Sequence, residues 1–107
     1  LGVPARMLAR LADDPLGRRV RAHLAGNGVA LDHAVPAAEQ TSMALVTVDD
    51  HGVPSYDFRI AGTADWQWTH DELTGVVDDG TVALHTGSVA LELEPGASRV
   101  RELLRRV

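Results

Sequence analysis

Arg6-Met7-Leu8-Ala9-Arg10-Leu11-Ala12-Asp13-Asp14-Pro15-Leu16-Gly17-Arg18 is the stretch on which the fold turns. Its first half is a short apolar-rich run that reads as a strand. Its second half is a helix start. Asp14 can cap the free backbone N–H groups, and Pro15 suits the first helical position, where a missing N–H costs nothing. Leu16, Val20 and Leu24 follow at steps of four, predicting one buried stripe with Arg18, Arg19 and Arg21 in water. Gly26-Asn27-Gly28 ends the helix, since Gly and Asn tolerate the left-handed backbone of a C-terminus. Strand, turn, helix is the opening of an α/β fold.

The centre has a different period. Met43 to Val48 suits a strand, Asp49-Asp50-His51-Gly52 a turn, and Val53 to Ile60 alternates. The alternation puts Tyr56, Phe58 and Ile60 on one face and Ser55, Asp57 and Arg59 on the other. With a strand near His33-Ala34-Val35, residues 33–60 form a predicted antiparallel sheet. Thr69-His70-Asp71-Glu72 has the spacing of a capping box, opening a helix to about Val77. Val82 to Leu91 is a nearly unbroken apolar run, as in a parallel strand covered on both faces. Val100, Leu103, Leu104 and Val107 then mark a last amphipathic helix, with Glu102 and Arg106 paired at four-residue spacing.

The fold class is therefore α/β, an incomplete parallel sheet with flanking helices plus a small antiparallel β-sheet. Residues 1–32 form a strand–helix part, 33–68 the antiparallel sheet, and 69–107 a helix–strand–helix part. Two buried strands are too few for a self-sufficient parallel sheet. The chain also opens on Leu1 and stops at Val107 inside a predicted helix. Both features lead to the expectation of a segment of a longer polypeptide.

Bulk composition narrows the function. The 107 residues carry a net charge of -5, which disfavours nucleic acid as a partner. All ten basic residues are arginine, and their clusters fall on the polar faces of predicted helices. With no cysteine there is no thiol catalysis and no cysteine-held zinc. No membrane partner is expected, because no apolar run approaches the ~20 residues a spanning helix needs. A cytoplasmic location is the expectation.

The five histidines (His23, His33, His51, His70 and His85) share no metal-binding spacing. His85, inside the apolar run, reads as a hydrogen-bonded core residue. Two constellations carry more chemistry. Gly87-Ser88, at the end of a predicted parallel strand, is where an open α/β sheet receives its ligand; the glycine could equally serve strand–helix packing. Asp57 and Arg59, on one face of a strand, could grip the hydroxyls of a sugar, or simply face water.

The order of these pieces is more specific than any one of them. Ala12 to Arg18, the helix end at Gly26-Asn27-Gly28-Val29, and the turn at Asp50-His51-Gly52 come first. Tyr56-Asp57-Phe58-Arg59, Gly62-Thr63-Ala64-Asp65, Leu84-His85-Thr86-Gly87-Ser88 and Glu94-Pro95 follow in turn. Together they resemble the ribokinase-like (PfkB) carbohydrate kinases, within them the bacterial fructokinase-like group, over essentially the whole chain. The resemblance implies an α/β core with a β-sheet lid that closes over a sugar such as fructose. It implies phosphorylation of a sugar hydroxyl by ATP with Mg2+. The lid often also joins a homodimer, so the Tyr56, Phe58 and Ile60 face would meet a partner or the sugar pocket.

The sequence departs from the family at Ala12, where a glycine is usual. It also lacks the early glycine pair with asparagine and the late G-x-G-D stretch that supplies the catalytic aspartate and anion hole. The expected site residues are thus substrate-binding only: Asp57, Arg59, Gly87 and Ser88. No catalytic, nucleotide or metal residue is expected here, and the segment alone is expected to be inactive. The alternative reading is a non-catalytic binding or dimerisation module that retains the lid.

Overall fold

A computed structural model describes residues 2–107. The opening stretch folds as its residues dictate. β1 (Ala9–Ala12) runs into α1 (Pro15–Gly26), with Pro15 in the first turn and Asp14 as the N-cap. The Asp14 Oδ1 accepts from the Gly17 N–H at 2.7 Å. Asn27 closes the helix, and Gly28 follows at φ 75°. α1 lies on β1 through Gly17, where an added Cβ would run into the Ala12 carbonyl, whose carbon would be only 2.8 Å away. The predicted apolar stripe is buried only in part: Leu24 is half-buried, but Leu16 and Val20 are 37% and 40% exposed. The contact with β1 is made by the glycine, one position round the helix.

The chain then returns beside β1. β2 (Ala34–Ala37) pairs with β1 in parallel, Ala9 opposite Ala34 and Ala12 opposite Ala37. The expectation that this strand joins the antiparallel sheet is corrected: that sheet starts at Met43. A β–α–β crossover places β2 next to β1, a tertiary pairing that four residues interrupted by Pro36 do not announce.

β3 (Met43–Val48) and β4 (Pro54–Arg59) form an antiparallel hairpin, Met43 opposite Arg59 and Val48 opposite Pro54. Its turn is held by Asp49, whose Oδ1 accepts from the His51 and Val53 N–H groups at 2.8 and 2.9 Å. Every residue of both strands is exposed. The arm lengthens the molecule: its radius of gyration is 15.6 Å, against roughly 13 Å for a compact domain of this length.

Beyond a 3-10 turn at Ala64–Trp66, the capping box forms as read. Thr69 and Glu72 exchange hydrogen bonds at the start of α2 (His70–Leu73). α2 stops after one turn, short of Val77, because Thr74 is extended and Gly75 takes φ 75°. The predicted strand at Val82–Leu91 is also corrected. Residues 82–87 carry no regular secondary structure, and Val89–Leu91 is a 3-10 turn. A strand requires a partner backbone, and among the described residues β1 is hydrogen-bonded to β2 alone. His85 is consequently exposed rather than in the core. α3 (Gly96–Arg106) buries Ala97, Val100 and Leu103, and its Arg106 meets Glu102 at 2.6 Å.

Two small cores result. Ala12, Ala37 and Ala64 pack under β1 and β2. Leu73, Val100 and Leu103 pack with Trp68, Val76, Val77 and Leu84 around them. Gly96 allows the start of α3 to press against the Trp66 backbone, with the Trp68 ring 3.3 Å from where a Cβ would stand.

Two glycines of α1 give opposite expectations. Gly17→Ala must push the helix off β1 and should cost about 2 kcal/mol. Gly26→Ala meets nothing within 4 Å and should gain about 0.5 kcal/mol from helix propensity. Urea denaturation of both variants checks the pair. Asp14 gives a pH signature. Hydrogen bonds from the Thr41 hydroxyl, then the Thr41 and Gly17 N–H groups, bring its carboxyl from an ordinary 3.8 down to about 2. A pKa lowered by folding contributes stability that is complete above 3.8 and disappears as pH falls through about 2. Asp14→Asn should therefore melt lower than the parent at neutral pH, and the gap should close across that window.

Candidate functional site

A cavity of about 530 Å³ opens between β1 and the segment that follows residue 83. Met7 to Arg10 form one wall and Leu84 to Ala90 the other. Trp66, Trp68, Leu73, Val100 and Leu103 complete the lining, so its body is apolar. Gly87 and Ser88 line it and are exposed, and the Ser88 carbonyl accepts from the Leu91 N–H at 2.9 Å. The second wall is pinned to α3: Arg101 donates to the Leu91 carbonyl and to Glu94 Oε1, the latter at 2.6 Å.

Asp57 and Arg59 lie elsewhere, on the exposed hairpin, and neither lines the cavity. The pair is a fork. Arg59 Nε donates to the two Asp57 oxygens at 3.2 and 3.1 Å, and Nη2 donates to Oδ2 at 2.8 Å. The hydrogen bond from Arg59, with its charge, holds the Asp57 carboxyl below its ordinary value, and Asp57 raises Arg59 in return. Both groups stay ionised near neutrality, and their charges cancel. Arg59 keeps N–H groups unused by the fork, and Asp57 keeps lone pairs, so the pair can donate to and accept from one hydroxylated ligand. The two expected halves of the site, hairpin pair and rim, are thus separate surfaces in this structure.

The opposite face of the hairpin is apolar throughout. Ala44 sits opposite Phe58, Val46 opposite Tyr56 and Val48 opposite Pro54. The Tyr56 and Phe58 rings stack at 5.8 Å between centroids, 5° from parallel.

Arg10 is the important residue that the sequence reading passed over. Its guanidinium donates to Glu72 through Nε at 3.1 Å and Nη2 at 3.3 Å, to Glu39 at 3.1 Å and to the Ala64 carbonyl at 2.8 Å. The Glu39 carboxyl lies below its ordinary value, held by its own backbone N–H and by Arg10. The signal was available. An arginine inside an apolar strand must either leave the strand or find carboxylates, and Glu39 and Glu72 were the candidates.

The residues present do not fit a magnesium–nucleotide group. Among the described residues, no three His, Cys, Asp or Glu side chains converge as metal ligands. At the N-terminus of α1, where a phosphate could sit, the Asp14 carboxylate already takes the Gly17 N–H.

No protein-family model matches the chain. It is 32% identical over 99 residues to a fructokinase of Klebsiella pneumoniae, covering 92% of this chain and 32% of that protein. It is 35% identical over 98 residues to a fructokinase of Vibrio alginolyticus, covering 91% of this chain and 31% of that one. Among solved structures, the apo fructokinase of Vibrio cholerae O395 superposes with a TM-score of 0.70 at 24% identity. That match covers 92% of this chain and 33% of the other. The same enzyme with fructose, ADP and calcium bound gives a TM-score of 0.65 at 23% identity, covering 92% and 32% of the two chains. The chain therefore spans about a third of the length of the relatives it matches, and over that third its resemblance to the ribokinase-like sugar kinases, fructokinases in particular, holds in both sequence and fold.

Proposed function

We propose that these residues form the sugar-facing lid and part of the α/β core of an ATP-dependent sugar kinase, with fructose or a related ketohexose as substrate. The observation that carries this is the match to fructokinases over nine-tenths of the chain, at 32% and 35% identity. On this reading residues 33–68 carry the lid, and the β3–β4 hairpin is its arm. Asp57 accepts from a sugar hydroxyl while Arg59 donates to a neighbouring oxygen. Gly87 lets backbone approach the sugar closely, and the Ser88 hydroxyl supplies a further hydrogen bond. ATP and Mg2+ are held by polypeptide outside these 107 residues, in a cytoplasmic enzyme. The isolated chain is inactive, because phosphoryl transfer needs positioned cations or N–H groups around the moving phosphate. Among the described residues no group of three His, Cys, Asp or Glu side chains converges to hold the metal ion of such a constellation.

The test is a coupled assay with ATP, Mg2+ and fructose. The 107-residue chain should give no turnover above the blank, and the complete reading frame containing it should release ADP in proportion to fructose. Turnover by the isolated chain, or a complete protein indifferent to sugars, overturns the proposal. In the complete protein Arg59→Met should raise KM for the sugar about tenfold and leave KM for ATP unmoved.

A second reading is favoured by the apolar face of the hairpin, where Val46, Val48, Tyr56 and Phe58 are 52%, 62%, 59% and 61% exposed. A face this continuous calls for cover. A homodimer through the hairpin supplies it, with or without catalysis. Sedimentation should show a dimer at micromolar concentration, and Phe58→Lys should give a monomer with an unchanged melting temperature. A monomeric parent chain would dismiss this reading.

A further inference from the structure

Asn27 is the one asparagine in the 107 residues, and a glycine follows it. It closes α1 at φ -100° and ψ 14°, and Gly28 takes φ 75°. Both residues are exposed. A Cβ built on Gly28 would meet nothing within 4 Å among the described residues, so the space around this peptide unit is open. The Asn27 carboxamide reaches back one turn and donates from Nδ2 to the His23 carbonyl at 2.7 Å. The Gly28 N–H donates to the Ala25 carbonyl, and the Val29 N–H to the Leu24 carbonyl, both at 3.0 Å. These bonds set the direction in which the chain leaves α1 for β2.

The side-chain carbonyl carbon of an asparagine and the next backbone nitrogen can close a cyclic imide. A side chain on the following residue crowds that nitrogen, and glycine has none. We propose that Asn27 is a site of spontaneous modification, where the chain converts its own asparagine to aspartate and isoaspartate. The Gly28 nitrogen gives its proton to solvent hydroxide and attacks Cγ of Asn27. The N–Cγ bond forms, the Cγ–Nδ2 bond breaks, and Nδ2 takes a proton from water and leaves as ammonia. Water then opens the imide at either carbonyl. Opening at Cγ restores the chain with an aspartate. Opening at the main-chain carbonyl gives isoaspartate, in which the backbone runs through the side chain.

The end of the helix sets the pace. Ring closure needs the Gly28 nitrogen turned toward Cγ, with its bond to Ala25 and the carboxamide's bond to His23 both released. Asn27 therefore reacts when the last turn opens, and an exposed helix end is where opening is least costly. The consequences fall on the same turn. A carboxylate replaces a donor opposite the His23 carbonyl, at the end of a helix where the dipole is already negative. Isoaspartate also lengthens the backbone inside the turn. Modification thus loosens α1 from its C-terminal end while Asp14 still holds the other.

The test ages the protein containing these residues at mildly alkaline pH and follows peptide 22–59, which cleavage after arginine releases with Asn27 inside it. The native protein should show the mass gain of an amide-to-acid conversion, placed at Asn27 by fragmentation, at least about tenfold more slowly than the urea-unfolded protein. Two products of equal mass should separate, aspartate and isoaspartate. Gly28→Ala should slow the reaction by about tenfold in urea, where helix geometry plays no part. Aged protein should melt below fresh protein, and Asn27→Asp should melt low from the start and gain no mass. An Asn27 that stays intact in the native protein while the unfolded one reacts overturns the proposal, because the helix end is then shut. Aspartate as sole product, or a Gly28→Ala rate equal to the parent's, overturns it as well, since either means direct hydrolysis without the ring. A mass gain at Gln40 alone does the same. These readouts involve no turnover, so they stand apart from the kinase assay.

Discussion

The buried guanidinium of Arg10 is the constraint from which the rest of the molecule is arranged. It is 6% exposed, and a charge so placed is tolerable only when paired and fully hydrogen-bonded; stripping its partners would cost several kcal/mol. Its partners come from three separate parts of the chain: Glu39 beyond β2, the carbonyl of Ala64 in the 3-10 turn, and Glu72 of α2. Satisfying one side chain therefore fixes three connections to β1. Glu72 serves twice, because the oxygen that accepts from Arg10 also accepts from the Thr69 N–H at 3.0 Å. A helix of four residues has no stability of its own. α2 is held at both levels: its capping carboxylate is also the counter-ion of β1, and its Leu73 packs with Val100 and Leu103 of α3.

Asp14 does for the hairpin what Arg10 does for the body. While capping α1 it accepts from the Thr41 N–H at 2.8 Å and from the Thr41 hydroxyl at 2.6 Å. Next along, Ser42 and Thr63 hydroxyls meet at 2.6 Å, and the Ala64 N–H donates to the Gln40 carbonyl at 2.8 Å. Both roots of the arm are thus clamped to the body, while the strands beyond them bury nothing against it. On the kinase reading, a fixed root and an unsupported shaft suit a lid: it stays ordered through its own ladder yet can gain contacts when something settles beneath it.

What could be read from the residues was local. The Asp14 cap, the Thr69–Glu72 box, the Asp49–Gly52 turn and the faces of β4 each depend on groups within a few positions, and each is found. What escaped depends on distance along the chain. Nothing in Ala34–Ala37 says that its partner is β1. Nothing in Leu16, Val20 and Leu24 says that Gly17 will carry the helix contact. The apolar run from Val82 satisfies the composition of a buried strand, but composition cannot supply the second backbone that makes a strand. The same limit holds for the site. The Asp57–Arg59 fork was legible because it spans two residues on one strand face, while the cavity beside Gly87 is made by chain segments some seventy residues apart.

The electrostatics of the fork bear on what the hairpin would grip. A guanidinium facing solvent alone attracts anions, and a phosphorylated sugar would hold to it more tightly than the sugar itself. Arg59 is not alone: three contacts of 2.8 to 3.2 Å bind it to Asp57, and the pair presents donors and acceptors with no net charge. Hydroxyl groups gain from such a surface. A phosphate would meet the Asp57 carboxylate at the same distance as the cation and gain little. On the kinase reading, the polar face of the lid thus favours the neutral polyol over its phosphate ester. The sugar-holding contacts would then add no electrostatic grip on the product.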